Sequence, residues 1–169
     1  MFSNVATLVK GIISPKVAYA HCDIPCGIYD PHAAQIAALT CIRMDQLIQA
    51  LQRPAADASA DAQAAYQNSL SRYIATKEEH AEMCKREIRV IWGDYFRPEH
   101  IQAHPTLHDK VFQVMKLGSR VRQTTDMQAA QDLLKSVQDV AEIFWATKNV
   151  KTARKPSNQT VGGELVSPA

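Results

Sequence analysis

Four stretches of the chain carry apolar residues at roughly helical spacing, parted by polar or proline-bearing connections. From Pro31 to about Gln52, Ile36, Leu39, Ile42, Leu47 and Leu51 mark one face. Asp30-Pro31 supplies its start signal, because proline suits the first turn of a helix, where the backbone N–H has no helical partner. A second, long helix is predicted from about Ala64 to Tyr95, with Tyr66, Leu70, Ile74, Ala81, Cys84, Ile88, Ile91 and Tyr95 as its stripe. Lys77, Glu78, Glu79, Lys85, Arg86 and Arg89 read as its solvated side. A third runs from about Thr106 to Gln123, with Leu107, Val111, Val114, Met115, Gly118 and Val121 inward. A fourth runs from about Asp126 to Asn149, with Ala130, Leu134, Val137, Ala141 and Phe144 inward. Asp126 is placed to cap it, since its carboxylate can accept a free N–H of the first turn. Arg53–Gln63 and Arg97–Pro105 read as connections, and the tail 150–169, with two prolines and a Gly-Gly pair, as mostly disordered.

Four amphipathic helices with short links predict an all-α, antiparallel four-helix bundle over residues 32–149. The 169 residues suit one domain, and 46% hydrophobic content suffices for a core without disulfides. Only Gly93 and Gly118 fall between Pro31 and Val150, which argues against a many-stranded β protein and against a phosphate-cradling loop. A net charge of +2 argues against a nucleic-acid partner, and no apolar run reaches the length of a membrane span. The fold licenses no function by itself.

The cysteines change the picture. Cys41 and Cys84 lie alone in helical stretches and read as small buried apolar residues. Cys22 and Cys26 share the short segment His21-Cys22-Asp23-Ile24-Pro25-Cys26-Gly27-Ile28-Tyr29-Asp30-Pro31. Two thiolates at this spacing can bite one metal ion, with Pro25 restricting the loop and Gly27 permitting a tight turn. The spacing alone leaves a coincidental pair or a disulfide as alternatives.

The preceding twenty residues bear on that choice. They hold Lys10 and Lys16, no acidic residue, and end Ala18-Tyr19-Ala20, small residues placed as at a cleavage site. Lys10, Pro15 and Lys16 interrupt the apolar run of a secretory signal, which makes that reading weak; residues 1–20 read more strongly as a removable leader of some kind. Cleavage after Ala20 would leave 17 basic and 17 acidic side chains, once Lys10 and Lys16 are gone from the 19 and 17 of the whole chain. It would also give His21 a free α-amine. That amine, the Cys22 amide nitrogen and the Cys22 sulfur then form adjacent chelate rings. The Cys26 sulfur closes a square plane, and the His21 imidazole can reach an axial position. Square-planar N/S donors suit Ni(II) or Cu(II), not tetrahedral zinc.

Residues 21–31 closely resemble the nickel hook, HCDxPCGxYDP, of nickel-containing superoxide dismutases. The resemblance continues through Trp92-Gly93-Asp94-Tyr95-Phe96, His100, Pro105 and His108, and Ile143-Phe144-Trp145 with Thr147-Lys148. It implies a precursor trimmed by a maturation protease, a homohexamer of four-helix bundles, one nickel ion per chain, and His21, Cys22 and Cys26 as the ligands. It also implies a ping-pong disproportionation of superoxide between Ni(III) and Ni(II). Tyr29 is the candidate to order water or steer the anion, Tyr95 its supporting partner, and Asp23 the residue that holds the hook's shape through backbone N–H groups. The alternative is simple packing for each tyrosine.

Two positions depart from the family pattern. Well-known members orient the axial histidine with a glutamate on the first helix and an arginine on the second. Alignment by the hook puts Ala37 at the first position, and alignment by Trp92–Phe96 puts His80 at the second. His80 is therefore expected to replace both partners, hydrogen-bonding the His21 imidazole directly or through water; the alternative is a semi-exposed helix histidine unrelated to the metal. His32, His100, His104 and His108 are assigned to capping, loop packing or subunit contacts. Thiol ligands point to a reducing cytoplasm, while the Ala18-Tyr19-Ala20 end leaves export open. A nickel or copper storage protein without turnover is the competing function.

Overall fold

The computed structural model describes residues 27–169. Helix α1 (His32–Ala50) follows Asp30, whose Oδ1 accepts the His32 N–H at 2.7 Å. Helix α2 (Ala60–Val90) begins under Ser59, whose Oγ accepts from the Ala62 N–H. It ends in a π-helical turn, Ile91–Tyr95, closed by the Phe96 N–H to the Ile91 carbonyl at 3.2 Å. The link expected to be a plain loop contains a short helix, α3 (Pro98–Ala103). Helices α4 (Leu107–Gln123) and α5 (Met127–Thr147) complete the set, the latter capped by Asp126 Oδ1 accepting from the Ala129 N–H.

The four long helices pack in a ring, α1 against α2 and α5, α4 against α2 and α5, which is the predicted four-helix bundle. Many core positions are small: Ala34, Ala37, Ala38, Ala81, Ala129, Ala130 and Ala141. They let the helix backbones approach closely around Ile88, Val114, Leu133, Val137, Val140 and Phe144. No helix among the described residues is long and apolar enough to cross a membrane.

Three expectations fail for identifiable reasons. Ile36 and Ile74, placed on the inward faces, are each 37% exposed. Lys77, placed on the solvated side of α2, is 2% exposed because the buried carboxylate of Asp45 on α1 waits for it. The tail expected to be disordered forms an antiparallel hairpin, β1 (Thr152–Pro156) with β2 (Glu164–Pro168), in which Arg154 faces Val166. A lone two-stranded hairpin is marginal in water, so its hold comes from the bundle. Val166, 2% exposed, exchanges two hydrogen bonds with the side-chain amide of Gln35: Nε2 donates to the Val166 carbonyl at 3.0 Å, and the Val166 N–H donates to Oε1 at 2.7 Å. Gln138 donates to the Glu164 carbonyl, and Arg154 reaches Glu142, Gln138 and Asp139 on α5.

Candidate metal centre

His21, Cys22, Asp23 and Cys26 lie outside the described residues, as does the whole segment 1–20. The described chain enters at Gly27, whose φ of +72° is the left-handed region that only glycine adopts freely. Among the described residues nothing lies within 4 Å of the position of its missing Cβ, so backbone conformation is what favours glycine there.

Two residues further on, Tyr29 meets Tyr95, with ring centroids 5.6 Å apart and planes inclined by 53°. Tyr95 sits in the π-helical turn, a distortion frequent at functional sites because the inserted residue re-aims the side chains that follow. An aromatic cluster fixes its ring. His100 stacks on it at 5.5 Å, Phe144 lies at 4.7 Å and Phe96 at 5.3 Å. The His100 ring is itself held, because its Nδ1 accepts the Arg97 N–H. The Tyr95 hydroxyl meets Thr147 Oγ1 at 2.8 Å. Lys148 places its ammonium 4.6 Å from the Phe144 centroid and 5.4 Å from that of Tyr95. A cation over the negative faces of the rings is a favourable arrangement, and it gives this end of the bundle a fixed positive charge.

Tyr29 and Tyr95 are thus brought together as expected. His100 does more than pack a loop, and the roles of Thr147 and Lys148 had no signal in the sequence beyond their membership of the matching motif. His108 accepts a hydrogen bond at Nδ1 from the Trp92 indole at 2.9 Å. His80 is half-buried on α2, and its Nδ1 lies 2.8 Å from the Thr76 carbonyl. A carbonyl can only accept, so Nδ1 carries the proton and a neutral His80 presents Nε2 as an acceptor.

Among the described residues no group of three or more His, Cys, Asp or Glu side chains is placed to hold a metal ion. Cys41 and Cys84 are buried free thiols. Burial, reinforced by the Asp45 carboxylate, pushes the Cys41 thiol up to about 12. Burial, with Cys41 beside it, raises Cys84 as well. The thiolate is the form that binds metal, so neither competes with the pair in the N-terminal segment. That segment carries two cysteines and a histidine, and cleavage before His21 would add an amine; thiolate, imidazole, amine and amide donors together would fit nickel.

A helical bundle with an aromatic-lined end, entered directly from a His-Cys-x3-Cys segment, defines a metal-binding all-α protein. A family model described as nickel-containing superoxide dismutase matches residues 16–148. The superoxide dismutase [Ni] of Streptomyces seoulensis is 34% identical over 142 residues, spanning 83% of this chain and 98% of the relative. That of Streptomyces coelicolor is 33% identical over the same shares. The native crystal structure of a nickel superoxide dismutase superposes with a TM-score of 0.64 at 32% identity, covering 76% of this chain and 99% of that one. One with nickel ligation corresponding to the oxidised state gives 0.65, again at 32% identity and with the same coverage. The chain belongs to the nickel-containing superoxide dismutase family. Its C-terminal hairpin lies beyond the matched residues.

Proposed function

We propose that this chain, an oxidoreductase with a nickel cofactor, disproportionates superoxide at a hook formed by residues 21–31 after cleavage behind Ala20. Two superoxide ions and two protons give one O2 and one H2O2. Nickel, when bound, supplies the one-electron couple for this exchange. The chain's own residues do the rest. The His21 amine and imidazole, the Cys22 amide and the thiolates of Cys22 and Cys26 are the ligands in this reading. Anionic sulfur and amide donors release electron density and bring the higher oxidation state within reach. Asp23 holds the loop through backbone N–H groups. Tyr29 orders water or positions the small anion, and the packed Tyr95 ring limits where Tyr29 can go.

The observation that carries the reading is the juxtaposition of Tyr29 with Tyr95 immediately after the His-Cys-x3-Cys segment, within a match spanning residues 16–148. Intact mass and metal analysis of the protein from its native source test it. A chain beginning at His21 with one nickel is the expected result. An uncut chain that is fully active would overturn ligation by the His21 amine.

His80 is the proposed partner of the His21 imidazole, which would be a nickel ligand. With its Nδ1 proton given to Thr76, its Nε2 is the acceptor that a metal-bound imidazole N–H requires. His80→Ala should change the nitrogen coupling from His21 in the electron paramagnetic resonance spectrum of the oxidised nickel-loaded protein and slow turnover. Unchanged coupling and rate would remove His80 from the site.

We also place the protein in the cytoplasm, where thiol ligands stay reduced, and as a homohexamer processed by a dedicated protease. Supporting self-association, Trp92 and Phe112 are 41% and 62% exposed beside an apolar cavity of about 490 Å³ that they line with Val111 and Met115.

A further inference from the structure

We propose that Thr147 is a positioning residue that fixes the direction of the Tyr95 hydrogen bond, making the Tyr95 hydroxyl a donor toward α5 and leaving its oxygen only acceptor capacity for any other partner. The inference rests on the dismutase reading for its functional meaning, but its geometry is independent of nickel.

The argument is one of proton accounting. A threonine hydroxyl has one proton and two lone pairs. Thr147 Oγ1 lies 2.6 Å from the Phe144 carbonyl and 2.8 Å from the Tyr95 hydroxyl. The carbonyl can only accept, so two oxygens at 2.6 Å demand that Thr147 donate there. Local structure explains why that carbonyl needs a donor. Phe144 lies in the last turn of α5, where carbonyls run out of helical partners. In a continued helix the Lys148 N–H would reach Phe144, but it turns to the Trp145 carbonyl at 3.0 Å instead. The Thr147 proton is therefore committed to Phe144, and toward Tyr95 the threonine oxygen can only accept. The Tyr95 proton points at Thr147.

The consequence reaches the site. Toward any second partner the Tyr95 oxygen then offers lone pairs alone. A water or hydroxyl arriving there must donate to it, and a superoxide anion gains no hydrogen bond from it. Tyr95 is thereby barred from serving as the proton source. The packing already described keeps the alignment rigid, with His100 stacked on one face and Phe144 against the ring.

The test is the tyrosine Fermi-doublet intensity ratio in the Raman spectrum of the full chain, which separates hydroxyls that donate from hydroxyls that only accept. Subtracting Tyr95→Phe isolates the Tyr95 contribution. The wild-type difference spectrum should show a hydroxyl that donates, at the donor extreme or, if its oxygen also accepts, at the intermediate ratio. Thr147→Val should lose that signature, and Thr147→Ser should keep it. An acceptor-type signature in the wild-type difference spectrum would overturn the proposal without recourse to any Thr147 variant. A donor signature that survives Thr147→Val in a folded protein would overturn it too. Dismutation need not be measured, so loss of the dismutase reading and loss of this inference are distinguishable.

Discussion

Lys77 Nζ and Asp45 Oδ1 meet at 3.0 Å between α2 and α1, at 2% and 0% exposure. The same ammonium donates to the Thr124 carbonyl just beyond α4, so one side chain ties three helices together. Asp45 Oδ2 has no hydrogen-bond partner. Such a pair owes its hold to mutual compensation, because each charge alone would be badly desolvated. Lys77→Ala should destabilise the bundle by about 3–5 kcal/mol, since it strands a buried carboxylate. Replacing both residues by apolar ones, as in Lys77→Met with Asp45→Leu, should cost much less. Urea unfolding of the two variants checks this, and equal losses would refute the explanation.

Gln35 and Val166 form the second long-range lock. Their paired hydrogen bonds join the second turn of α1 to the C-terminal hairpin. Gln35→Ala leaves a buried N–H and a buried carbonyl unpaired, at about 1–3 kcal/mol each. Hydrogen exchange at β1 and β2 should quicken while the helices stay protected. Uniform loss of protection across the bundle would mean that the hairpin is integral to the fold rather than docked on it.

Much of this was legible from periodicity. The capping of α5 by Asp126 and the stripe of Leu107, Val111, Val114 and Val121 stand in the structure as read. Lys77 was misread because a charge at one position says nothing of a carboxylate 32 residues away that is itself buried. The tail was misread because its prolines, basic residues and Gly162-Gly163 are equally the composition of a loose segment and of a tight hairpin. Those glycines take φ of +76° and +75° at the turn, and Val166 finds its partner on the far side of the sequence. The contact of Tyr29 with Tyr95 was foreshadowed by the motifs that carry the two residues. The contact of Thr147 with Tyr95 was not, because it depends on how α5 ends.

The cysteines should sort into two classes by reactivity. Burial holds Cys41 and Cys84 as protonated thiols at neutral pH, Cys41 at about 12. A thiol-specific reagent at pH 8 should therefore modify Cys22 and Cys26 in the metal-free native chain and reach the other two only after unfolding. Rapid labelling of Cys41 or Cys84 in the folded protein would contradict their assigned burial.

The central claim is best tested by superoxide consumption and nickel content measured together on the chain cleaved before His21. The wild type should bind one nickel per chain and dismutate superoxide, and Cys22→Ser should lose both. Stoichiometric nickel without turnover in the wild type would instead mark a storage protein, and full activity in Cys22→Ser would contradict the hook as the site.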